Sequence, residues 1–208
     1  MMDGATAAYY QALKLRIIKY FIETKNNTLK MKIKQNKENI FSITGYSESD
    51  YAGNKDNRKS ITGLIVYCAG VPISWKLKGQ KEVSLSSIES EYYALSELWT
   101  EIIYIKNVLE FLNIEVNYLI IVQVDNVGAI FLANNPVLSQ QTKHVSVMYH
   151  FVRDFIEDVI SKVLFVKSKM NQADIFTKKL SRDLYDQHQD SVMNGIYNEE
   201  NDQNDEMK

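Results

Sequence analysis

The sequence predicts an α/β domain on a mixed five-stranded sheet, and three features lead there. Extended segments rich in Ile, Phe, Thr and Tyr come first, between residues 40 and 76. A long amphipathic helix follows, and beyond it stands a run that is apolar at nearly every position, Tyr118 to Val124. Along the chain the order reads three strands, a helix, a strand, two helices, a strand and a final helix.

Each element has its own grounds. Tyr9 to Thr24 reads as an amphipathic helix with Leu13, Ile17, Tyr20 and Phe21 on one face. The lysine-rich stretch Lys25 to Lys37 reads as a turn and an irregular strand. Ile40 to Ser47 favours extended structure, and Tyr51 to Ser60, with Gly53, Asn54 and Asn57, is a polar loop. Ile61 to Ala69 and Val71 to Lys76 form a hairpin across Ala69-Gly70. The long helix starts at Ser86 or Ser87 and runs to about Asn113, and Ser86 with Glu89 has capping-box spacing. Leu95, Leu98, Ile102, Ile105, Leu109 and Leu112 follow in steps of three and four, the stripe of a core-facing helix. Tyr118 to Val124 is the kind of strand buried on both faces. A helix from Asn126 to Ala133 is stopped by Asn134-Asn135-Pro136. His144 to Ile160 reads as a helix, Val163 to Lys167 as a strand and Asn171 to Leu180 as the last helix. Beyond about Leu184 the chain is poor in hydrophobic residues and rich in Asp, Glu, Asn and Gln, which predicts disorder.

Composition narrows the function. The 208 residues, 45% hydrophobic, suffice for one ordinary core with appendages. No apolar run reaches membrane-spanning length, and Met1 to Ala8 lacks the pattern of a secretory signal. A single cysteine, Cys68, excludes an intramolecular disulfide and a cysteine-based zinc cluster, and an intracellular, cytoplasmic setting is expected. Net charge is −2 but unevenly spread. Residues 1–47 hold 8 Lys and Arg against 3 Asp and Glu, 48–180 hold 14 against 15, and 181–208 hold 2 against 8. Up to residue 180 the chain is therefore mildly basic, which permits phosphate binding without proving it.

The carboxylates carry the chemistry. Extending the helix stripe backwards lands on Glu91, where an apolar residue belongs. A carboxylate on a buried face costs several kcal/mol unless it is paired or holds a metal, so something cationic is expected beside it. Glu89 reads as a cap. Asp125 and Asp174 begin helices and could be caps, while Glu48 and Asp50 end the first extended segment and could be solvated loop acids. In an α/β sheet such ends can converge on one side. Carboxylates gathered there repel one another and call for hard divalent cations, Mg²⁺ or Mn²⁺. His144, His150 and His188 form no zinc motif or catalytic dyad. Trp75 among Lys76, Lys78 and Lys81 reads equally well as a base-stacking surface or a half-buried strand tryptophan. No nucleophile elbow and no glycine-rich phosphate loop is present.

The words around these acids resemble a known family. GYSESDYAG (45–53), RKSITG (58–63), ISWKLKGQ (73–80), LSSIESEYYALSE (85–97), VDNVGAI (124–130), NNPV (134–137), TKHVSVMYHFVRD (142–154) and QADIFTKKL (172–180) look like the ribonuclease H segment of copia-type (Pseudoviridae) retrotransposon Pol polyproteins. The likeness covers about residues 40–180 in order. The helix around Ala7 to Lys25 resembles the end of the preceding reverse transcriptase and its connection. The division this implies is 1–38 for that helix and basic segment, 39–182 for a ribonuclease H-like domain and 183–208 for an acidic tail.

The resemblance implies cleavage of the RNA strand of an RNA–DNA hybrid with two Mg²⁺ ions, Mn²⁺ being a substitute. Expected partners are the hybrid and the reverse transcriptase of the same polyprotein, within virus-like particles and with no membrane. Glu91, Asp125 and Asp174 match family catalytic, metal-holding carboxylates. Glu48 stands where the family usually has the metal-bridging Asp, as in GYSDADWAG, and Asp50 matches the second, less central Asp. Lys179 replaces the usual proline of FTKPL. Arg58, Lys59, Trp75, Lys76, Lys78 and Lys81 are the expected nucleic-acid contacts. The rival expectation is a decayed or co-opted fragment that binds nucleic acid without cutting it, a reading Glu48 favours. No YxDD-type polymerase motif is present.

Overall fold

The computed structural model describes residues 4–29, 31, 40–117, 119–135 and 161–194. The expected helix over His144 to Ile160, most of the lysine-rich stretch, the NNPV word beyond Asn135 and residues 195–208 lie outside the described residues. A helix α1 (Gly4–Thr24) precedes three strands, β1 (Ile43–Asp50), β2 (Ile61–Cys68) and β3 (Val71–Gly79). Then come α2 (Ser87–Phe111), β4 (Ile120–Val124), α3 (Val127–Asn134) and β5 (Ser161–Phe165), and after them α4 (Asp174–Thr177) and α5 (Arg182–Asn194).

The sheet order is β3-β2-β1-β4-β5. β1 pairs antiparallel with β2 and β2 with β3, whereas β1–β4 and β4–β5 are parallel. This is the mixed five-stranded sheet of the ribonuclease H-like fold, as the sequence led us to expect. Its first hairpin turns at Ala69 and Gly70, with φ of 50° and 79°, the two left-handed residues a tight turn needs.

Two clusters hold the sheet between helices. On one face Leu95, Leu98, Trp99 and Ile102 of α2 pack on Ile43, Leu64, Val66 and the valines of β4. The stripe read from the sequence is therefore the core face, although Leu112 at its end is exposed. Gly45 lets α2 approach: a Cβ there would lie 2.9 Å from a Leu98 methyl. On the other face Tyr46, Ile65, Tyr67, Val166 and Ala173 cluster, with Phe176 and Val192 against them.

Several expectations need correction. β1 continues through Glu48, Ser49 and Asp50, because β2 pairs with it as far as Asp50↔Ile61; tertiary pairing overrides the poor strand propensity of those acids. β3 runs on to Gly79 for the same reason, opposite Ile61. β4 is not buried on both faces: Ile121 and Gln123 are half-buried. β5 begins two residues early, at Ser161, in register with Ile120. The last helix contracts to the single turn α4, since the Asn171 side chain donates to Ser47 O (2.9 Å) and accepts from Ala173 N (3.1 Å).

Beyond Leu184 the chain is not disordered as far as Asn194. Those residues complete α5, where Tyr185, His188 and Val192 recur at helical spacing and His188 is fully buried. α1 is present, but its expected apolar face is exposed. Among the described residues, Tyr20 Oη lies 3.2 Å from Tyr185 Oη and links this helix to α5. No described helix is long and apolar enough to cross a membrane.

Gly63 opposes Glu48 across β1–β2, and a Cβ on it would meet Thr177 Cγ2 at 2.6 Å and Ala173 O at 3.0 Å. Gly63→Val should therefore lift α4 off the sheet and cost about 1–3 kcal/mol of stability. Urea denaturation of the variant beside the parent checks this.

Candidate active site

The two central parallel strands end at the same level. The β1–β4 register pairs Tyr46 with Gln123, and continuing it by two residues sets Glu48 beside Asp125. Glu48 is 1% exposed because its side chain lies on the sheet face that α4 covers. Asp125 follows β4 directly and is not the helix cap: Asn126 caps α3 by accepting from Ala129 N at 3.0 Å. The Asp125 carboxylate accepts instead from Ser168 Oγ, 2.6 Å.

Glu91 sits in the second turn of α2, 6% exposed. Ser86 caps that helix and Glu89 reaches back to Leu85 N at 2.7 Å, so the cap reading of Glu89 holds. Gln80 fixes the same turn against the sheet. Its side-chain amide donates to Ser90 O (2.9 Å) and Thr62 Oγ1 (3.1 Å), while its carbonyl accepts from Ser84 Oγ (2.9 Å). Asp174, 3% exposed, opens α4, which Asn171 pins to Ser47, the residue before Glu48.

The four acids converge, and a lysine joins them. Lys178 Nζ lies 3.0 Å from Glu48 Oε1, 2.9 Å from Asp174 Oδ1 and 3.7 Å from Asp125 Oδ2. Thr177 Oγ1 donates to the other Glu48 oxygen. Glu91 adjoins the group, accepts from the Ser49 backbone and leaves Oε2 buried with no hydrogen-bond partner. The cation expected beside Glu91 is thus present but bonded to the other three acids. Asp50 stays outside: its carboxylate lies against Gly53.

Electrostatics follow from this crowding. Burial, then the charges of Glu48 and Asp125, push the Glu91 carboxyl up to about 9. Burial also raises Glu48 and Asp174 above the ordinary carboxylate range, despite Lys178. Burial works to lower the Lys178 ammonium, yet its hydrogen bond to Asp174 and the charge of Glu48 prevail and raise it. One ammonium does not offset the desolvation of Glu48, Glu91 and Asp174.

The donors are all carboxylate oxygens, which suit a hard divalent ion. As they stand, no three His, Cys, Asp or Glu side chains among the described residues are arranged to hold a metal ion. The point that Glu48, Asp125 and Asp174 share belongs to Lys178 Nζ. The orphaned Glu91 oxygen and the donor chemistry fit a metal once that ammonium has moved.

The expected nucleic-acid contacts do not form one surface. Lys76 and Lys78 lie on the α2 face of β3, paired with Glu101 at 3.2 Å and Glu97 at 3.0 Å. Trp75, 54% exposed, projects from the opposite face, the one shared with Ile65. Arg58 and Lys81 are exposed and Lys59 is half-buried at the loop end, where Lys59 Nζ donates to Lys81 O. Sequence reasoning missed Lys178. Its only signal was the four-residue step from Asp174 inside the QADIFTKKL word.

No family model matches the chain. It is 38% identical over 181 residues to the retrovirus-related Pol polyprotein from transposon RE1 of Arabidopsis thaliana, covering 87% of this chain and 12% of that protein. It is 38% identical over 144 residues to that from transposon TNT 1-94 of Nicotiana tabacum, covering 69% of this chain and 11% of the relative. The chain thus spans about an eighth of the length of the Arabidopsis polyprotein. Among solved structures, the N-terminal RNase H domain of a Mycobacterium tuberculosis protein, fused to maltose-binding protein, aligns with a TM-score of 0.48. That alignment is 11% identical and covers 73% of this chain and 98% of that one.

A buried acid raised to about 9 makes stability depend on pH. Glu91 favours the folded state while protonated, so its contribution is complete below its ordinary 4.5 and is lost as pH rises towards about 9. In EDTA, Glu91→Gln should raise the melting temperature at neutral pH and flatten its fall between those limits. Melting curves of both proteins across that range test it.

Proposed function

We propose that this chain, a homologue over most of its length of one segment of copia-type retrotransposon Pol polyproteins, is a ribonuclease H-type nuclease that hydrolyses the RNA strand of RNA–DNA hybrids. The observation that carries the reading is the meeting of Glu48, Asp125 and Asp174 at one ammonium, with Glu91 beside them, from four separate elements. A purely structural ion pair needs two partners, not four acids brought from β1, α2, the end of β4 and α4.

Glu48, Glu91, Asp125 and Asp174 would hold two Mg²⁺, or Mn²⁺, which when bound make a water nucleophilic and stabilise charge on the phosphodiester. The rest is this chain's own work. Asn171 and Gln80 fix the backbones that carry Asp174 and Glu91. Ser168 orients Asp125, and Thr177 orients Glu48. Arg58, Lys59 and Lys81 would meet the hybrid backbone at the loop end, and Trp75 would stack from its own face. Lys76 and Lys78, already paired with α2, would add less. The reverse transcriptase of the same polyprotein is the proposed partner, within virus-like particles.

One feature favours a second reading, binding without cleavage. Glutamate carries one methylene more than aspartate, and two-ion geometry tolerates little displacement. An error of about 1 Å costs on the order of 100-fold in rate. Glu48 is also already satisfied by Lys178 and Thr177.

A labelled RNA–DNA hybrid with Mg²⁺ or Mn²⁺ separates the two. The nuclease reading expects cleavage leaving 3′-hydroxyl and 5′-phosphate ends, a gain of up to about 100-fold in Glu48→Asp, and loss of at least that in Asp174→Asn. No cleavage by either the parent or Glu48→Asp, with salt-sensitive hybrid binding intact, sinks it in favour of a binding protein.

A further inference from the structure

We infer that Lys178 is an internal counter-cation that holds the carboxylates together in the metal-free protein, so that divalent ions bind by displacing it. The inference rests on the nuclease reading and adds to it a residue with a defined place in metal loading. Three ion pairs converge on this one ammonium, at 2.9, 3.0 and 3.7 Å, and two of those acids are almost wholly buried. The side chain that provides it is 38% exposed. Its long stem therefore has a way out to solvent without any movement of the sheet.

Charge balance gives the direction of the exchange. Four carboxylates and two divalent cations neutralise one another. An ammonium kept among them would be a surplus like charge, repelled by the metal in a space with little water. Among the described residues, this ammonium is the only cation paired with Glu48, Asp125 and Asp174 when no metal is bound. A loop lysine serving stability alone would need one of these partners, and its removal would leave metal affinity untouched.

Two measurements on the full chain decide it. Mn²⁺ titration followed by electron paramagnetic resonance should show Lys178→Met binding the ion about tenfold tighter than the parent. In EDTA the variant should melt at lower temperature, and Mg²⁺ should restore most of the loss. Should the variant fail to fold without metal, the parent alone suffices. Reductive methylation read by mass spectrometry should then label Lys178 several-fold faster once Mg²⁺ is added, because the ammonium has left its three carboxylates. Equal or weaker Mn²⁺ binding in Lys178→Met, or unchanged labelling in a parent that binds Mn²⁺, overturns the inference and leaves the nuclease reading standing. A parent that binds neither ion overturns both.

Discussion

Repulsion among acids is the constraint around which this fold is arranged. Glu48, Glu91, Asp125 and Asp174 are drawn from four elements into one nearly dry space. Nothing about packing alone requires them there, since any apolar side chain would fill the same volume at lower cost. What keeps them is a set of local devices: the Asn171 bond to β1, the Gln80 bonds to the first turns of α2, and the Lys178 ammonium at the centre. Each device acts on the backbone or the charge beside an acid.

The sheet supplies the geometry those devices refine. β1 and β4 are adjacent and parallel, so their carboxyl ends reach the same level and their terminal acids become neighbours. α2 crosses one face with its N-terminal turns towards that end. α4 lies on the other face, where glycine at position 63 leaves room for it. A site built from both faces of a sheet has to sit at the strand ends, because the pleated layer separates the faces elsewhere.

Most of the architecture was legible in the residues. The steps of three and four from Leu95 to Ile105 describe a face that is buried, and Glu91 broke that rhythm visibly because one carboxylate interrupts a run of apolar positions. The β1 boundary was not legible, since Glu48, Ser49 and Asp50 look like loop and only pairing with β2 makes them strand. α5 was missed because Leu184, Tyr185, Val192 and Met193 are its few apolar residues amid acids and amides. Lys178 was unreadable for a different reason. A lysine in a polar stretch is ordinary, and its meaning comes from acids up to 130 positions away that only folding brings near.

One feature of the sheet reaches beyond the acids. β3 is an outer strand, and its exposed row of Ile73, Trp75 and Leu77 is sticky in the way unpaired borders of sheets generally are. The same strand carries Lys76 and Lys78, whose charges discourage a second molecule from zipping onto it. Those two lysines guard solubility as well as whatever they do towards phosphate. Neutralising them to probe grip on a polyanion would also unlatch the border, and clumping of the protein would then imitate a loss of affinity.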